Sequence, residues 1–151
     1  MKRKPFDRQL FAENDRKARV AVVTYLHGEG LVAFDNPDTD YGVDLYVRHP
    51  DSPEVIYAVE AEIKRVWSGD TLPWDSVQLP ARKFKYIQMT HVPVEYWILN
   101  QELTHAIIIH EKSLVDREPV EVYNKYVARG ELFYRIPISE CNVINLVDYG
   151  S

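Results

Sequence analysis

Val59-Glu60-Ala61-Glu62-Ile63-Lys64 alternates strictly, with apolar Val59, Ala61 and Ile63 set between charged Glu60, Glu62 and Lys64. A two-residue period is that of a β-strand, so two carboxylates and an ammonium project from one face. At a rise of ~3.3 Å per residue, the Cα atoms of Glu62 and Lys64 stand about 6.6 Å apart. That spacing lets a carboxylate hold a divalent cation while the neighbouring lysine touches the water or phosphate bound to it. Upstream, Tyr41-Gly42-Val43-Asp44-Leu45-Tyr46-Val47 forms a second strand-like run that carries Asp44. An acid on one strand and Glu-x-Lys on the next is a layout suited to metal-dependent phosphodiester chemistry. Taken alone, the six residues also describe a solvated strand face with alternating charges.

The bulk properties limit the surroundings of this motif. A chain of 151 residues suits one domain with a sizeable core, and 46% hydrophobic with 27% charged residues is ordinary for a globular protein. No apolar run approaches the ~20 residues of a membrane helix. The basic start Met1-Lys2-Arg3-Lys4-Pro5 is not followed by the apolar core of a signal peptide. The single cysteine, Cys141, has no internal disulfide partner. The expectation is therefore a cytoplasmic, reducing setting without membrane association. There is no Cys/His cluster at zinc spacing and no Gly-rich phosphate loop.

A net charge of −5 counts against a general nucleic-acid binder, since such proteins are usually basic. The distribution weakens that objection. Basic residues gather at Lys2, Arg3, Lys4 and Arg8, at Arg16, Lys17 and Arg19, at Lys64 and Arg65, and at Arg82, Lys83 and Lys85. Acids that ligate a cation add to the net charge yet are neutralised once it binds.

Read in order, residues 1–10 form a flexible basic arm, and residues 12–27 form a helix with Ala18, Ala21, Val22, Tyr25 and Leu26 on its apolar face. Gly28 and Gly30 stop it. Leu31–Phe34 is a first strand. Val43–Arg48 is a second, placing Asp44 and Tyr46 opposite Val43, Leu45 and Val47. The turn His49–Pro53 leads into a third strand, Val55–Lys64. A loop over Trp67–Asp75 precedes a helix opened by Pro80 and continued through Ala81–Met89. Val94–Leu99 and His105–Ile109 are apolar strands. Val120–Val122, Leu132–Ile136 and Val143–Val147 are further strand candidates. The expected fold class is α/β in the mixed α+β sense, a central mixed sheet flanked by helices, in one domain over 1–151. Its core spans about 12–110 and a β-rich extension spans about 111–151.

The order α-β-β-β-α-β, with Asp44 on the second strand and Glu62 and Lys64 on the third, resembles the PD-(D/E)XK nuclease superfamily and its restriction-endonuclease-like fold. The resemblance covers roughly residues 12 to 100 and rests on element order plus three positions. It departs at Val43, where the family pattern has proline. The resemblance implies that Asp44 and Glu62 ligate Mg²⁺ or Mn²⁺, with the Ile63 backbone carbonyl completing the site. Lys64 would orient or deprotonate the attacking water and steady the phosphate charge. Glu60 is either a second metal ligand or a peripheral acid in a salt bridge. Glu13 matches the acid that many members carry on the first helix. Gln78, Arg82, Lys83 and Lys85 would contact nucleic-acid phosphates. Trp67, Trp74 and Tyr86 either stack on bases or belong to the core, and no histidine is assigned a catalytic role.

The expected function is Mg²⁺-dependent hydrolysis of phosphodiester bonds, with DNA as the nucleic-acid partner. The alternative is a catalytically silent nucleic-acid-binding or structural subunit that keeps the same fold. A nuclease of this size that cuts both strands would work as a homodimer, with the β-rich tail at the interface.

Overall fold

The computed structural model describes residues 8–37, 42–122 and 130–146. Residues 1–7 of the basic arm lie outside the described residues, and residues 8–10 belong to the first helix, α1 (Arg8–Gly28). Gly28 is the last residue of α1, and the stop is made by Gly30, which takes φ +84°. The Gly30 N–H donates to the His27 carbonyl at 3.1 Å and the Leu31 N–H to the Leu26 carbonyl at 2.9 Å. These two bonds are the paired closure that a left-handed residue allows after a helix. The closure brings Leu31 back beside Leu26, and both join the core beneath the helix.

Among the described residues nine strands follow: β1 (Val32–Asp35), β2 (Leu45–Arg48), β3 (Val55–Ile63), β4 (Ser76–Pro80), β5 (Val94–Leu99), β6 (His105–His110), β7 (Val120–Val122), β8 (Glu131–Pro137) and β9 (Asn142–Asn145). The fold is mixed α+β, as anticipated. One sheet has the order β1-β2-β3-β5-β6-β9 and the other the order β4-β8-β7. In the larger sheet β2 and β3 are antiparallel neighbours, with Leu45 opposite Val59. The β3–β5 pair is parallel, with Glu62 opposite Ile98. A parallel pair requires a long crossover, and the chain between β3 and β5 supplies it.

The crossover is where the sequence-based expectation fails most. Val77 and Leu79 are buried while Gln78 between them is not, a strand alternation that makes Ser76–Pro80 the strand β4. Its antiparallel partner is β8, more than fifty residues away in the chain. Pro80 therefore closes a strand instead of opening a helix. The helix expected over Ala81–Met89 is a 3-10 turn, Ala81–Phe84, running into a five-residue helix, α2 (Lys85–Met89). Smaller shifts occur at the edges. β1 runs one residue later than expected, β2 starts at Leu45, and β3 ends at Ile63. Val147 of the last expected strand lies outside the described residues.

The larger sheet is covered on both faces. Ala18, Val22 and Leu26 of α1 pack on Leu45, Val47, Val59, Ala61, Trp97 and Leu99. On the other face, Val77 and Leu79 of β4 and Tyr134 and Ile136 of β8 pack on Ala58, Tyr96, Ile98, Ile107 and Ile109. β3 thus runs between two apolar layers. From Ala58 onward its even-numbered residues face the smaller sheet, which carries Glu60 into a protein interior.

Candidate functional site

The site begins at the end of the β2–β3 ladder. Alternation places Leu45 and Val47 in the layer under α1, but Val43 lies in the opposite layer. The single-face reading of Val43, Leu45 and Val47 is therefore corrected, because the chain turns through Gly42, at φ +97°, just before the strand. Buried Asn36 fixes this turn. Its side-chain amide donates to the Val43 carbonyl at 3.0 Å, and its backbone N–H donates to the Asp44 carbonyl at 3.0 Å. Asp44 is left at the corner, where its carboxylate accepts the Ala61 N–H at 2.9 Å.

The opposite edge of β3 is occupied by β5, since the Ala58 N–H donates to the Pro93 carbonyl and the Lys64 N–H to the Leu99 carbonyl. Residues 61 and 63 accordingly direct their backbone groups towards the β2 side. The Ile63 carbonyl is thus on the Asp44 edge, as a ligand from the backbone would need to be.

Glu60 is 9% exposed, and its Oε1 atom has no hydrogen-bond partner among the described residues. Burial pushes its carboxyl up to about 9, with the Asp44 charge and a hydrogen bond to Asp44 adding to the rise. The two acids therefore act on each other directly, as in carboxyl pairs that share a proton. Glu62 stands one pleat further on, with about a third of its side chain exposed. Lys83 spans the two glutamates, with Nζ 3.4 Å from Glu62 Oε2 and 3.8 Å from Glu60 Oε2. It is held there by its own turn, whose Lys83 carbonyl accepts the Tyr96 hydroxyl at 2.5 Å. Glu62 thus pairs with Lys83, a partner 21 positions along the chain.

Lys64, one residue past β3, turns away from that pair. Its Nζ lies 5.9 Å from the Trp74 ring centroid, and its side chain lines a cleft with Gln78. Of the other expected phosphate contacts, Arg82 is exposed and 3.5 Å from Glu131. Lys85 is exposed, with its ammonium over the Tyr86 ring at 5.2 Å. Lys83 is the exception, since it faces carboxylates from a mostly buried position.

Two residues enter the site without having been singled out for it. Glu13 is exposed on α1, whereas Asp15 is half-buried and its carboxyl is raised by burial and then by the Asp44 charge. Arg19, one turn along, pairs with Asp15 and opposes that rise. The sequence leaves Tyr86 as either a base-stacking or a core ring. Its hydroxyl is pushed up to about 12 by burial and by the charges of Glu60 and Asp44. Asp15 stands three and seven residues before Ala18 and Val22 and so shares their sheet-facing side, whereas Glu13, two residues earlier, lies on a different side of the helix. Trp67 and Trp74 pack edge to face against each other with centroids 6.4 Å apart, and Trp67 is fully buried in the core.

The resulting geometry is a corner where the Lys83 ammonium lies beside Glu60 and Glu62, Asp44 adjoins Glu60, and Asp15 feels the Asp44 charge, with Lys64 on the adjoining wall. Among the described residues, no three His, Cys, Asp or Glu side chains stand as a ready-made metal cage. No helix among them is long and apolar enough to cross a membrane. No protein-family model, no curated protein and no solved structure matches the chain.

Proposed function

We propose that the protein is a metal-dependent nuclease of the PD-(D/E)XK type that hydrolyses phosphodiester bonds, with DNA as its substrate. The observation that carries this reading is the meeting of Asp44 with Glu60 at one strand junction, with Glu62 one pleat on and Lys64 just beyond it. These acids come from two different strands and crowd together at a cost in repulsion and desolvation, which a purely structural sheet corner does not require.

The donor set fits a hard divalent cation. Carboxylate and carbonyl oxygens suit Mg²⁺ or Mn²⁺, and Mg²⁺ is often held by only one or two carboxylates plus waters and substrate phosphate. The buried Glu60 Oε1 without a hydrogen-bond partner is an oxygen that such an ion would satisfy. Asp44 and Glu62 would hold the ion, with the Ile63 carbonyl and Glu60 as further donors. Bound there, the ion supplies Lewis acidity and a more acidic water. Lys64 orients the attacking water and donates to the phosphoryl oxygens as negative charge builds on them. Arg82 and Lys85 are exposed cations on the crossover and give the strand its phosphate contacts.

The second reading is a catalytically silent binding or structural subunit, and the position of Lys83 favours it. An internal ammonium already pairs with Glu62 and lies beside Glu60. The deciding experiment incubates purified protein with labelled single-stranded, duplex and branched DNA and RNA, in Mg²⁺, Mn²⁺ or EDTA. Metal-dependent cleavage of DNA supports the nuclease, and binding without cleavage under any condition selects the silent subunit.

A further inference from the structure

A cleft adjoins the carboxylate corner. This cavity of about 440 Å³ lies where the loop after β3 meets the β4–β8 edge. Lys64 and Arg135 supply its cations, Gln78 and Ser76 its neutral polar groups, and Trp74 and Val66 its apolar wall. Asp75 also lines it, so the lining holds two cations and one acid.

Each wall is positioned by the fold. Gln78 and Arg135 are directly opposite each other in the antiparallel β4–β8 ladder, so they share one sheet face. Their neighbours Val77 and Ile136 are buried on the other face, which directs Gln78 and Arg135 outward. The loop carrying Val66 and Trp74 is tied down. Glu102 accepts the Gly69 N–H at 2.8 Å and the Ser68 hydroxyl at 2.6 Å, and the Asn100 amide donates to the Gly69 carbonyl at 3.0 Å. Val66 is 74% exposed, an apolar side chain offered to whatever occupies the mouth.

We propose that this cleft receives one unpaired nucleotide of a nucleic-acid strand, which makes single-stranded or frayed ends the substrate of the neighbouring site. The inference rests on the nuclease reading and adds its substrate class. The volume is that of a small-molecule site, enough for one nucleotide. In a duplex the base stays paired and stacked, out of reach of such a pocket unless it is extruded. The phosphate lies between the planar fork of Arg135 and the point charge of Lys64. The base rests against Trp74 and Val66, with its edge within reach of the Gln78 amide and the Ser76 hydroxyl.

The test is binding by fluorescence anisotropy in EDTA, so that no turnover occurs. The probes are a labelled single-stranded oligonucleotide and a hairpin duplex of the same sequence, with thymidine monophosphate as competitor. Wild type is expected to bind the single strand at least about tenfold more tightly, the scale of one specific contact. Arg135→Gln should weaken single-strand binding about tenfold and lower the salt slope by about 0.7, the value for one lost single-strand phosphate contact. If Arg135→Gln melts well below wild type, Gln78→Glu serves instead, because it places a negative charge on the outward face and should weaken binding similarly. Equal affinity for duplex and single strand overturns the proposal. So does wild-type binding by either folded variant, or a mononucleotide that fails to displace the strand even in large excess. A protein that cleaves with metal but shows no single-strand preference loses this inference alone. One that prefers single strands but never cleaves loses the nuclease reading alone.

Discussion

Asp44 stands in for a missing strand: its carboxylate accepts the Ala61 N–H at 2.9 Å, just where the β2–β3 ladder ends at Leu45 and Val59. A buried amide that loses its ladder partner must find another acceptor, and here the acceptor is the side chain of Asp44 itself. Asp44 therefore has two duties of opposite sign. It completes the hydrogen bonding of β3, and it crowds Glu60.

The two duties can be separated by substitution. Asp44→Ala leaves the Ala61 N–H without an acceptor in a position only 3% exposed, at a cost of about 1–3 kcal/mol. Asp44→Asn keeps an oxygen acceptor and removes the charge beside Glu60, so it should match or exceed wild-type stability without metal. Both should lose divalent-ion affinity. Urea denaturation in EDTA, paired with calorimetric Mn²⁺ titration, checks this. An alanine variant as stable as the asparagine variant would show that the Ala61 hydrogen bond contributes little.

Gly42 sets the corner that presents Asp44. It takes φ +97°, and a Cβ built there would stand 2.9 Å from the Asn36 side-chain nitrogen. Gly42→Ala thus meets backbone strain of about 1–3 kcal/mol and also pushes on the residue that anchors the turn. The expected outcome is a lower melting temperature together with weaker Mn²⁺ binding, because the turn carries Asp44. An unchanged melt would mean the turn relaxes freely and does not position Asp44.

Glu60 gives stability a pH dependence. Its carboxyl is raised from 4.5 to about 9 by burial and by Asp44, so across that window the folded chain holds a proton that the unfolded chain has released. The stabilising contribution of Glu60 is complete below about 4.5 and is lost as pH rises through about 9. Relative to Glu60→Gln, whose side chain does not titrate, wild type should lose stability steadily as pH increases through this range. Denaturation midpoints in EDTA at several pH values test it, and parallel profiles for the two proteins would contradict the assignment.

The strands nearest the motif were legible because local pattern decides them. Val59, Ala61 and Ile63 alternate, and the His49–Pro53 turn forces the hairpin that pairs β2 with β3. β4 was not legible, because Ser76–Pro80 is short and its pairing partner Glu131–Pro137 is distant in the chain. A proline at its end carries a helix-opening signal as strong as any strand signal before it. At the site, Asp44, Glu60 and Glu62 followed from strand period, whereas the place of Lys83 depends on the 3-10 turn and on Tyr96 reaching its carbonyl. The exchange of Glu13 for Asp15 was legible in the helical period, because Asp15 stands three and seven residues before Ala18 and Val22 on the sheet-facing side, a position Glu13 lacks.

Lys83 acts as an internal counter-ion, and its removal should be rescued by metal. Lys83→Met takes the ammonium from between Glu60 and Glu62 while keeping an apolar stem of similar length. Because Glu62 is partly solvated, the loss should be on the order of 1–3 kcal/mol, below that for a fully buried pair. Mn²⁺ should then raise the melting temperature of Lys83→Met more than that of wild type, since no lysine competes for the carboxylates. The comparison is a thermal scan of both proteins across a Mn²⁺ series. An equal shift in the two would mean that Lys83 and the ion do not share a position.

Lys64 separates catalysis from binding. Its ammonium faces Trp74 at 5.9 Å and contributes no ligand oxygen, so Lys64→Ala should leave Mn²⁺ affinity near wild type. The loss of its contact with the ring costs about 0.5–1 kcal/mol of stability, too little to unfold a domain of ordinary stability. Cleavage should nevertheless fall by ~10²-fold or more, the scale of one lost donor to transition-state charge. Since the lysine lines the cleft, the same variant should also bind single-stranded DNA less tightly, and the two effects are distinguished by measuring rate at saturating substrate. A saturated rate equal to wild type would reduce Lys64 to a binding residue, and with it the case for hydrolysis by this motif.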